Sequence, residues 1–250
     1  MNAMEEARLW ATDFYFDEQT RIQAGELMND PDQLAAAFGS ELAFGTGGLR
    51  GILGTGCARM NRYTVARATM GLGRYLLDHH LSRGVAIAHD SRHGSEEFSA
   101  VTAGVLAAMG IRVYVFPTLV PTPMLSFAVR ILHADAGVMI TASHNPAVYN
   151  GYKVYGADGC QITDKAAAAI TSRIESVRYT DPALLPETQA RGAGLWVDID
   201  DTVNRCFAQA CLFCRPDPEV CADLHVVYTP LNGTGLLPVT EVLGLMQGVT

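Results

Sequence analysis

Short apolar runs separated by helix-like stretches dominate the middle of the chain. Val85–Ala88, Arg112–Phe116 and Ala136–Thr141 each indicate a buried strand, because nearly every position is apolar rather than every second one. Helical patterns lie between them, from Ser95 to Gly110 and from about Met124 to Leu132. Crossovers of this length predict parallel pairing, so the pattern favours an α/β sheet with helices packed on it.

The two ends of the chain show different patterns. Residues 1–40 predict a helical wrap, broken near Pro31, and residues 179–195 predict a linker because they carry prolines and glycines without apolar periodicity. Residues 196–250 predict a helix, a strand at Leu224–Tyr228 and a helix from about Pro238, which is too little to bury both faces of a sheet. We therefore expect one domain over residues 1–195 and the incomplete start of a second αβα domain over 196–250. The apolar positions expected to hold the wrap are Trp10, Phe14, Ile22, Leu27, Leu34 and Phe38.

Composition narrows the class of protein. The chain has 250 residues, 49% of them hydrophobic and 18% charged, with a net charge of −8. This balance argues against a nucleic-acid partner or an anionic membrane surface. No apolar stretch approaches the roughly 18 residues of a membrane span, and the first residues do not read as a signal peptide. We therefore expect a cytoplasmic protein.

The six cysteines are too few and too irregularly spaced for a disulfide scaffold. Four of them lie close together in sequence, at positions 206, 211, 214 and 221, and His225 is near. A zinc site is conceivable, but no second Cys-x-x-Cys follows the first. Buried free thiols are the favoured interpretation.

The buried strand at Ala136–Thr141 ends in a polar turn, Ser143-His144-Asn145-Pro146. Pro146 restricts its own φ and that of Asn145, so Ser143 should sit on a stiff turn at the carboxyl end of a strand. Ligands bind at this edge in open α/β sheets. The alternative is an ordinary β-turn. A serine hydrolase is disfavoured, because Thr141 and Asn145 stand where its nucleophile elbow needs glycine.

Five arginines could form a local cluster that binds an anion, namely Arg50, Arg59, Arg62, Arg67 and Arg92, and three of them stand in informative segments. Arg50 lies in the glycine-rich stretch Phe44–Gly51, in which backbone amides can approach an anion closely, although a surface hairpin is the alternative. The stretch matches neither a dinucleotide fingerprint nor a Walker loop. Arg59 lies at a helix entrance and could instead be a solvated surface residue. Arg92 follows the strand Val85–Ala88, where pairing with Asp90 is the alternative.

Several segments together resemble the α-D-phosphohexomutase superfamily. They are Thr141–Pro146 with the following Asn150–Gly156, the stretch Phe44–Gly51 and the tripeptide Arg59-Met60-Asn61. Trp10-x-x-x-Phe14, followed by Asp17 to Arg21, is similar to the opening of the phosphoglucomutase and phosphopentomutase branch. The resemblance covers nearly all of the chain, but only the first domain and the start of the second in that architecture. One departure is Asn232, where the family usually has a histidine before Gly-x-Gly.

The resemblance implies a three-layer αβα mixed sheet and a phosphosugar mutase, most simply one that interconverts glucose 1-phosphate and glucose 6-phosphate through a bisphosphorylated sugar. It implies that Ser143 carries the phosphoryl group, that Arg50 stabilises its charge, and that Lys153 or His144 moves the proton. Substrate phosphate is expected to meet Arg50, Arg59, Asn145 and Arg92. The implied cofactors are Mg²⁺, bound through the phosphate on Ser143, and glucose 1,6-bisphosphate as activator and intermediate.

Two alternatives stay open. The metal loop Asp-Gly-Asp-x-Asp-Arg of the family is absent from this sequence, so the chain as given could be a non-catalytic phosphate-binding fragment or a degenerate remnant. The sugar could also be a pentose, mannose or glucosamine phosphate, since the specificity segments of the family are absent as well. For the 250 residues alone we expect no turnover.

Overall fold

The computed structural model describes residues 2–214 and 224–246. Its centre is one six-stranded sheet with the order β1-β5-β4-β2-β3-β6. The strands are β1 (Gly48–Ile52), β2 (Val85–His89), β3 (Val113–Val115), β4 (Ala136–Ile140), β5 (Tyr149–Gly156) and β6 (Trp196–Asp198). Strands β2, β3, β4 and β6 run parallel, whereas β5 is antiparallel to both β4 and β1. The three apolar runs thus lie in one sheet, and the mixed α/β fold is confirmed.

Ten helices lie in the described residues: α1 (Ala3–Thr12), α2 (Glu18–Leu27), α3 (Pro31–Phe38), α4 (Arg62–Asp78), α5 (Ser95–Ala108), α6 (Thr122–Ile131), α7 (Asp164–Glu175), α8 (Glu187–Gly192), α9 (Asp201–Phe213) and α10 (Leu236–Gly244). None of these helices has the length and apolar character that crossing a lipid bilayer requires.

Alternating side chains of the central strands build two separate cores. Val85 and Ile87 of β2 pack with α4, α5 and α7 on one face, while Ala86 and Ala88 pack with α6 and α9 on the other. Period-two alternation places successive residues on opposite faces, so a strand that is apolar throughout has to be covered on both sides. The result is the three-layer αβα arrangement that was predicted.

The N-terminal wrap packs around Trp10, which is completely buried. Its ring stacks on Phe16 with centroids 4.5 Å apart and meets Tyr179 edge-on at 5.3 Å. The prediction was wrong for Phe14 and Ile22, which are 89% and 55% exposed. The reason is a second break, because α1 ends at Thr12 and the turn that follows directs Phe16 toward the tryptophan.

The predicted linker and domain boundary differ from the structure. Helix α8 lies inside residues 179–195, and Trp196–Asp198 forms β6, which pairs with β3 as the last strand of the sheet. Helix α9 then covers the same face as α6, where Phe127 and Phe207 meet edge to face with ring centroids 5.6 Å apart. Residues 196–213 therefore belong to the first domain, because they complete its sheet and its second core.

The last described segment, 224–246, is less regular. Helix α10 lies within the predicted region, but residues 224–228 form no strand element in the described part of the chain. Cys211 and Cys214 are exposed, contrary to the expectation of buried thiols, and Cys221 lies outside the described residues. No group of three metal-ligating side chains occurs in ranges 2–214 and 224–246, so the described residues do not support the zinc alternative.

Candidate active site

Ser143 lies one turn beyond β4, at the carboxyl end of a central strand. Its φ of +55° is in the left-handed region, which costs a residue with a side chain about 1–2 kcal/mol. The turn compensates with hydrogen bonds: the Ser143 amide donates to Thr141 Oγ1 at 2.9 Å, and the Asn145 amide donates to the Ala142 carbonyl at 3.1 Å. The serine side chain is therefore exposed on a backbone that is held in one conformation.

Lys153 contacts the serine directly. Its Nζ donates to Ser143 Oγ at 2.6 Å. The two residues meet because β5 lies beside β4, with Lys153 paired to Met139 in register. Partial burial, and then the charge of Arg50, lower the pKa of Lys153 below its usual value. A half-buried amine with a lowered pKa, in contact with a hydroxyl, is suited to moving a proton.

Arg50 approaches the same place from the edge strand. Arg50 pairs with Gly151 in the antiparallel β1–β5 ladder, so its side chain lies on the same sheet face as Lys153, two residues along. Its Nη1 lies 3.4 Å from Asn145 Oδ1. The structure thus brings together four predicted site residues, Ser143, Lys153, Arg50 and Asn145, which come from two strands and one turn.

Glycine is required where β1 begins. Gly48 has a φ of +150°, and a Cβ there would lie 1.8 Å from the Tyr152 carbonyl oxygen. At Gly47 a Cβ would collide with the side chain of Gln161. At both positions a larger residue would clash with β5 or with the residues after it. The glycines therefore let β1 pack closely against β5, in the register that places Arg50.

Arg92 lies beneath the serine turn rather than on its surface. Its Nη2 donates to the carbonyls of Ser143 at 2.5 Å and Asn145 at 2.6 Å, and its Nη1 donates to those of Pro146 at 3.0 Å and Tyr149 at 3.1 Å. Its Nε faces Asp90 Oδ2 at 3.5 Å. The side chain is only 13% exposed.

A buried polar network continues from Asp90 into the sheet. Asp90 Oδ1 accepts from Ser95 Oγ at 2.8 Å and from the Arg92 amide at 3.0 Å. Ser95 Oγ in turn accepts from Nδ2 of Asn150, which is fully buried. Helix α5 begins at Ser95, as predicted, with Gly94 as its N-cap, and the serine side chain joins this network. The signal that could have indicated it is the polar pair Asn150 and Ser95 beside otherwise apolar elements.

Of the remaining predicted residues, His144 lies near the serine and Arg59 does not. His144 is exposed on the wall of a cleft of about 930 Å³ that Ser143, Asn145 and Arg92 also line. Asn232 lines the same cleft, where its carbonyl accepts from Ser91 Oγ at 2.9 Å. Arg59 lines a different groove, between α2, α3 and the loop after β1, together with Glu26, Asp30 and Asp32. No hydrogen bond or ion pair joins its guanidinium to the serine turn within the described residues.

The donors near Ser143 do not form a complete metal site. The described residues contain no group of three histidine, cysteine or acidic side chains that could hold an ion, and Asp90 is engaged by Ser95 and Arg92. Mg²⁺ needs several oxygen ligands in octahedral geometry. Ser143 and its phosphate would supply only part of that set, so the residues present do not fit Mg²⁺ by themselves.

The family comparison agrees with this architecture. Residues 41–181, more than half of the chain, match the family model described as phosphoglucomutase/phosphomannomutase, alpha/beta/alpha domain I. These residues include β1 to β5 and therefore the whole serine site.

Two curated relatives match over most of this chain. A phosphoglucomutase from Staphylococcus haemolyticus is 40% identical over 207 residues, which are 82% of this chain and 37% of that protein. A Schizosaccharomyces pombe protein named "Probable phosphoribomutase" is 39% identical over 239 residues, 92% of this chain and 40% of that protein. The chain thus spans about two fifths of the length of these relatives.

A solved structure shows the same fold. The crystal structure of a phosphoglucomutase/phosphomannomutase family protein from Burkholderia thailandensis superposes with a TM-score of 0.65 over 84% of this chain and 43% of that one. At 21% identity this similarity concerns the fold alone.

Proposed function

The chain belongs to the phosphoglucomutase/phosphomannomutase family through its α/β/α domain I, and from this premise we propose that it carries the phosphoryl-accepting serine of a phosphosugar mutase. Ser143 is that serine. The observation that carries the proposal is the 2.6 Å hydrogen bond from Lys153 Nζ to Ser143 Oγ, because it couples the hydroxyl to a group that can take and return its proton.

The bonds and protons of the proposed transfer can be accounted for with Ser143 and Lys153. When phospho-Ser143 gives its phosphoryl group to a sugar hydroxyl, the bond between phosphorus and Oγ breaks and a bond between phosphorus and the sugar oxygen forms. Oγ takes a proton from the Lys153 ammonium, and the amine regains one from the sugar hydroxyl. The lowered pKa of Lys153 favours this exchange, since both of its protonation states are then closer in free energy. His144 is the weaker candidate, since it makes no hydrogen bond to Ser143 in the described structure.

Arg50 is proposed to stabilise the transferring phosphoryl group. It reaches the turn beside Ser143 through Asn145, on the sheet face that carries Lys153. The register of two strands fixes the backbone of Arg50 beside the turn, so its positive charge is already near the place where negative charge develops, as effective electrostatic stabilisation requires. Asn145 is proposed to hold Arg50 and to line the phosphate position.

The proposed substrates are glucose 1-phosphate and glucose 6-phosphate, with glucose 1,6-bisphosphate as the activator that phosphorylates Ser143 and with Mg²⁺ completed by further ligands. Relatives named for glucose and for ribose phosphates keep a pentose phosphate as the first alternative, followed by mannose and glucosamine phosphates. Substrates of this kind are water-soluble metabolites, and the expected location is the cytoplasm.

The experiment measures conversion of glucose 1-phosphate to glucose 6-phosphate with Mg²⁺ and catalytic glucose 1,6-bisphosphate. It compares the naturally encoded full-length protein, the 250-residue chain and Ser143→Ala. Intact mass spectrometry then reports whether one phosphoryl group is acquired and lost with the serine. We expect turnover and phosphorylation in the full-length protein and neither in Ser143→Ala. Full activity of Ser143→Ala would remove the serine from the mechanism.

A second candidate function is a phosphate-binding module without turnover. It is supported by the incomplete metal-ligand set among the described residues. Under this hypothesis glucose 1,6-bisphosphate binds to the chain, as measured by calorimetry, but Ser143 is never phosphorylated in any length of the protein. Repeating the phosphorylation assay with ribose and mannose bisphosphates separates this outcome from a different sugar preference.

A further inference from the structure

Arg92 uses its whole guanidinium inside the protein. The group has five N–H donors, and four of them point at the carbonyls of Ser143, Asn145, Pro146 and Tyr149. The fifth, on Nε, faces the carboxylate of Asp90. A guanidinium in this state has no donor left for a substrate phosphate.

The four carbonyls belong to one segment, residues 143–149, and converge on one point. Converging carbonyl oxygens repel one another unless a cation lies between them. A guanidinium can donate to four of them with its two Nη groups, whereas an ammonium has three donors in all. The segment includes Ser143 in its left-handed conformation, and Arg92 binds the carbonyl of that same residue. The guanidinium therefore acts where the turn is most strained.

The orientation of Arg92 is itself fixed. Asp90 receives the Arg92 amide and faces its Nε, and Ser95 and Asn150 hold Asp90 and the start of α5 from inside the sheet. A side chain that is fixed at both ends can define the position of the turn to a fraction of an ångström. Displacements of about 1 Å at a reacting group can lower a rate by about 10²-fold.

We propose that Arg92 is a positioning residue for the nucleophile rather than a ligand of substrate phosphate, so that it sets the direction of Ser143 Oγ toward Lys153. The proposal rests on the proposed function for its kinetic consequence, but its structural part is independent of any reaction. It replaces the phosphate-binding role that the sequence predicted for Arg92.

The first test is hydrogen–deuterium exchange of residues 142–149 without ligand, in wild type, Arg92→Lys and Asp90→Asn. Arg92→Lys keeps the charge and loses the fork, whereas Asp90→Asn keeps an acceptor for Ser95 and leaves Nε without its charged partner. Arg173→Lys is the matched control, since Arg173 also binds a carboxylate and a backbone carbonyl, but on α7. We expect exchange at the amides of Asn145 and Tyr149 to rise about tenfold or more in Arg92→Lys, by less in Asp90→Asn and not in the control. Unchanged exchange in Arg92→Lys would overturn the proposal.

The second test follows phosphorylation of Ser143 by glucose 1,6-bisphosphate in the full-length protein. A positioning role predicts that Arg92→Lys lowers the maximal rate by about 10²-fold with the half-saturating concentration nearly unchanged. A phosphate-binding role predicts the reverse, a raised half-saturating concentration with the rate retained, and this result would overturn the proposal. If Arg92→Ala folds, added guanidinium should restore part of its rate.

The two tests also separate failure of this inference from failure of the proposed function. If wild type takes up no phosphoryl group, the mutase function is wrong, and the exchange experiment alone decides the role of Arg92.

Discussion

Two loops of this domain are held by similar hydrogen bonds but lie in surroundings of opposite charge. In the serine loop, residues 141–149, Arg92 donates to four carbonyls from beneath. In the loop of residues 53–61, the side-chain amide of Asn61 donates to the carbonyls of Gly54 and Gly56, each at 2.9 Å. In each loop, one side chain thus donates hydrogen bonds to several backbone carbonyls.

The difference lies in the charge of that donor and in what the loop faces. The serine loop is held by a cation and faces Lys153 and Arg50, so its surroundings favour a phosphoryl group. The 53–61 loop is held by a neutral amide, and its Arg59 faces a groove that contains Glu26, Asp30 and Asp32. An arginine near a turn is therefore not by itself a phosphate site, because its neighbours decide the sign of the local potential.

The largest effect is expected from removing the positive charge of Lys153, which lies beside the serine. Lys153→Met keeps most of the half-buried stem but removes the ammonium that contacts Ser143 Oγ. We expect phosphorylation of Ser143 and mutase turnover to fall by about 10²–10⁴-fold, the range for losing a general acid or base. Rapid-quench phosphorylation of the full-length protein measures it. Lys165→Met, which changes the only other lysine of the sequence and lies exposed on α7, should react like wild type.

A smaller loss is expected from Arg50→Ala. The serine and its proton-transfer partner stay in place, but the transferring phosphoryl group loses one fixed positive contact, which corresponds to about 10²–10³-fold in rate. Removal of Arg50 also takes away a charge that lowers the pKa of Lys153, so that pKa should rise. In the proposed transfer Lys153 begins as the ammonium, so its deprotonation sets the alkaline limb of the pH–rate profile, and that limb would then move to higher pH. An unchanged rate and profile would place Arg50 outside the mechanism and leave it a residue of the strand edge.

Sequence reasoning succeeded where a single requirement decides the outcome. Strands β2 and β4 are covered on both faces, so they must be apolar at almost every position. Their apolar runs could therefore be recognised as strands in the sequence. Strand β6 was not predicted, because it has only three residues at the sheet edge and two of them are exposed. Such a strand is too short and too polar for its pattern to be recognised. The exposure of Phe14 was not predicted, because it depends on where α1 ends.

For the site, the sequence predicted which residues lie close together better than what each of them contacts. Ser143, Lys153 and Arg50 follow from motifs that the strand register brings together. Arg92 and Arg59 have nearly the same local character, a basic side chain after a strand. What separates them is their surroundings, which come from segments more than 20 residues away and which no local pattern contains. Arg92 contacts carbonyls of the serine loop, and Arg59 lines a groove with α2 and α3.

The 53–61 loop should tolerate loss of its donor with a change in stability rather than in reaction rate. Asn61 also caps α4, accepting from the amides of Tyr63 and Thr64 at 3.0 Å. Asn61→Ala removes both functions and should lower the free energy of unfolding by about 1–3 kcal/mol, measured by urea denaturation. Asn61→Asp keeps the cap and loses only the donor, so it should lie between Ala and wild type. The phosphorylation rate per folded molecule should stay within about threefold of wild type; a large loss in both variants would contradict the separation of the two loops.

The smallest effect is expected from Arg59→Ala, which tests the comparison most directly. If Arg59 binds substrate phosphate, as the sequence predicts, its loss should raise the half-saturating concentration of glucose 1-phosphate by about tenfold or more, the effect of losing a hydrogen bond to a charged group. The acidic groove favours the other outcome, because removing a cation that faces Glu26, Asp30 and Asp32 changes the potential at Ser143 little across a screened surface. We therefore expect a change of less than about threefold in that concentration, with Arg59→Lys indistinguishable from wild type. The measurement is a substrate titration of both variants at low and moderate ionic strength. A loss that deepens as salt is lowered would show that Arg59 interacts with the substrate, and would place the 53–61 loop at the active site after all.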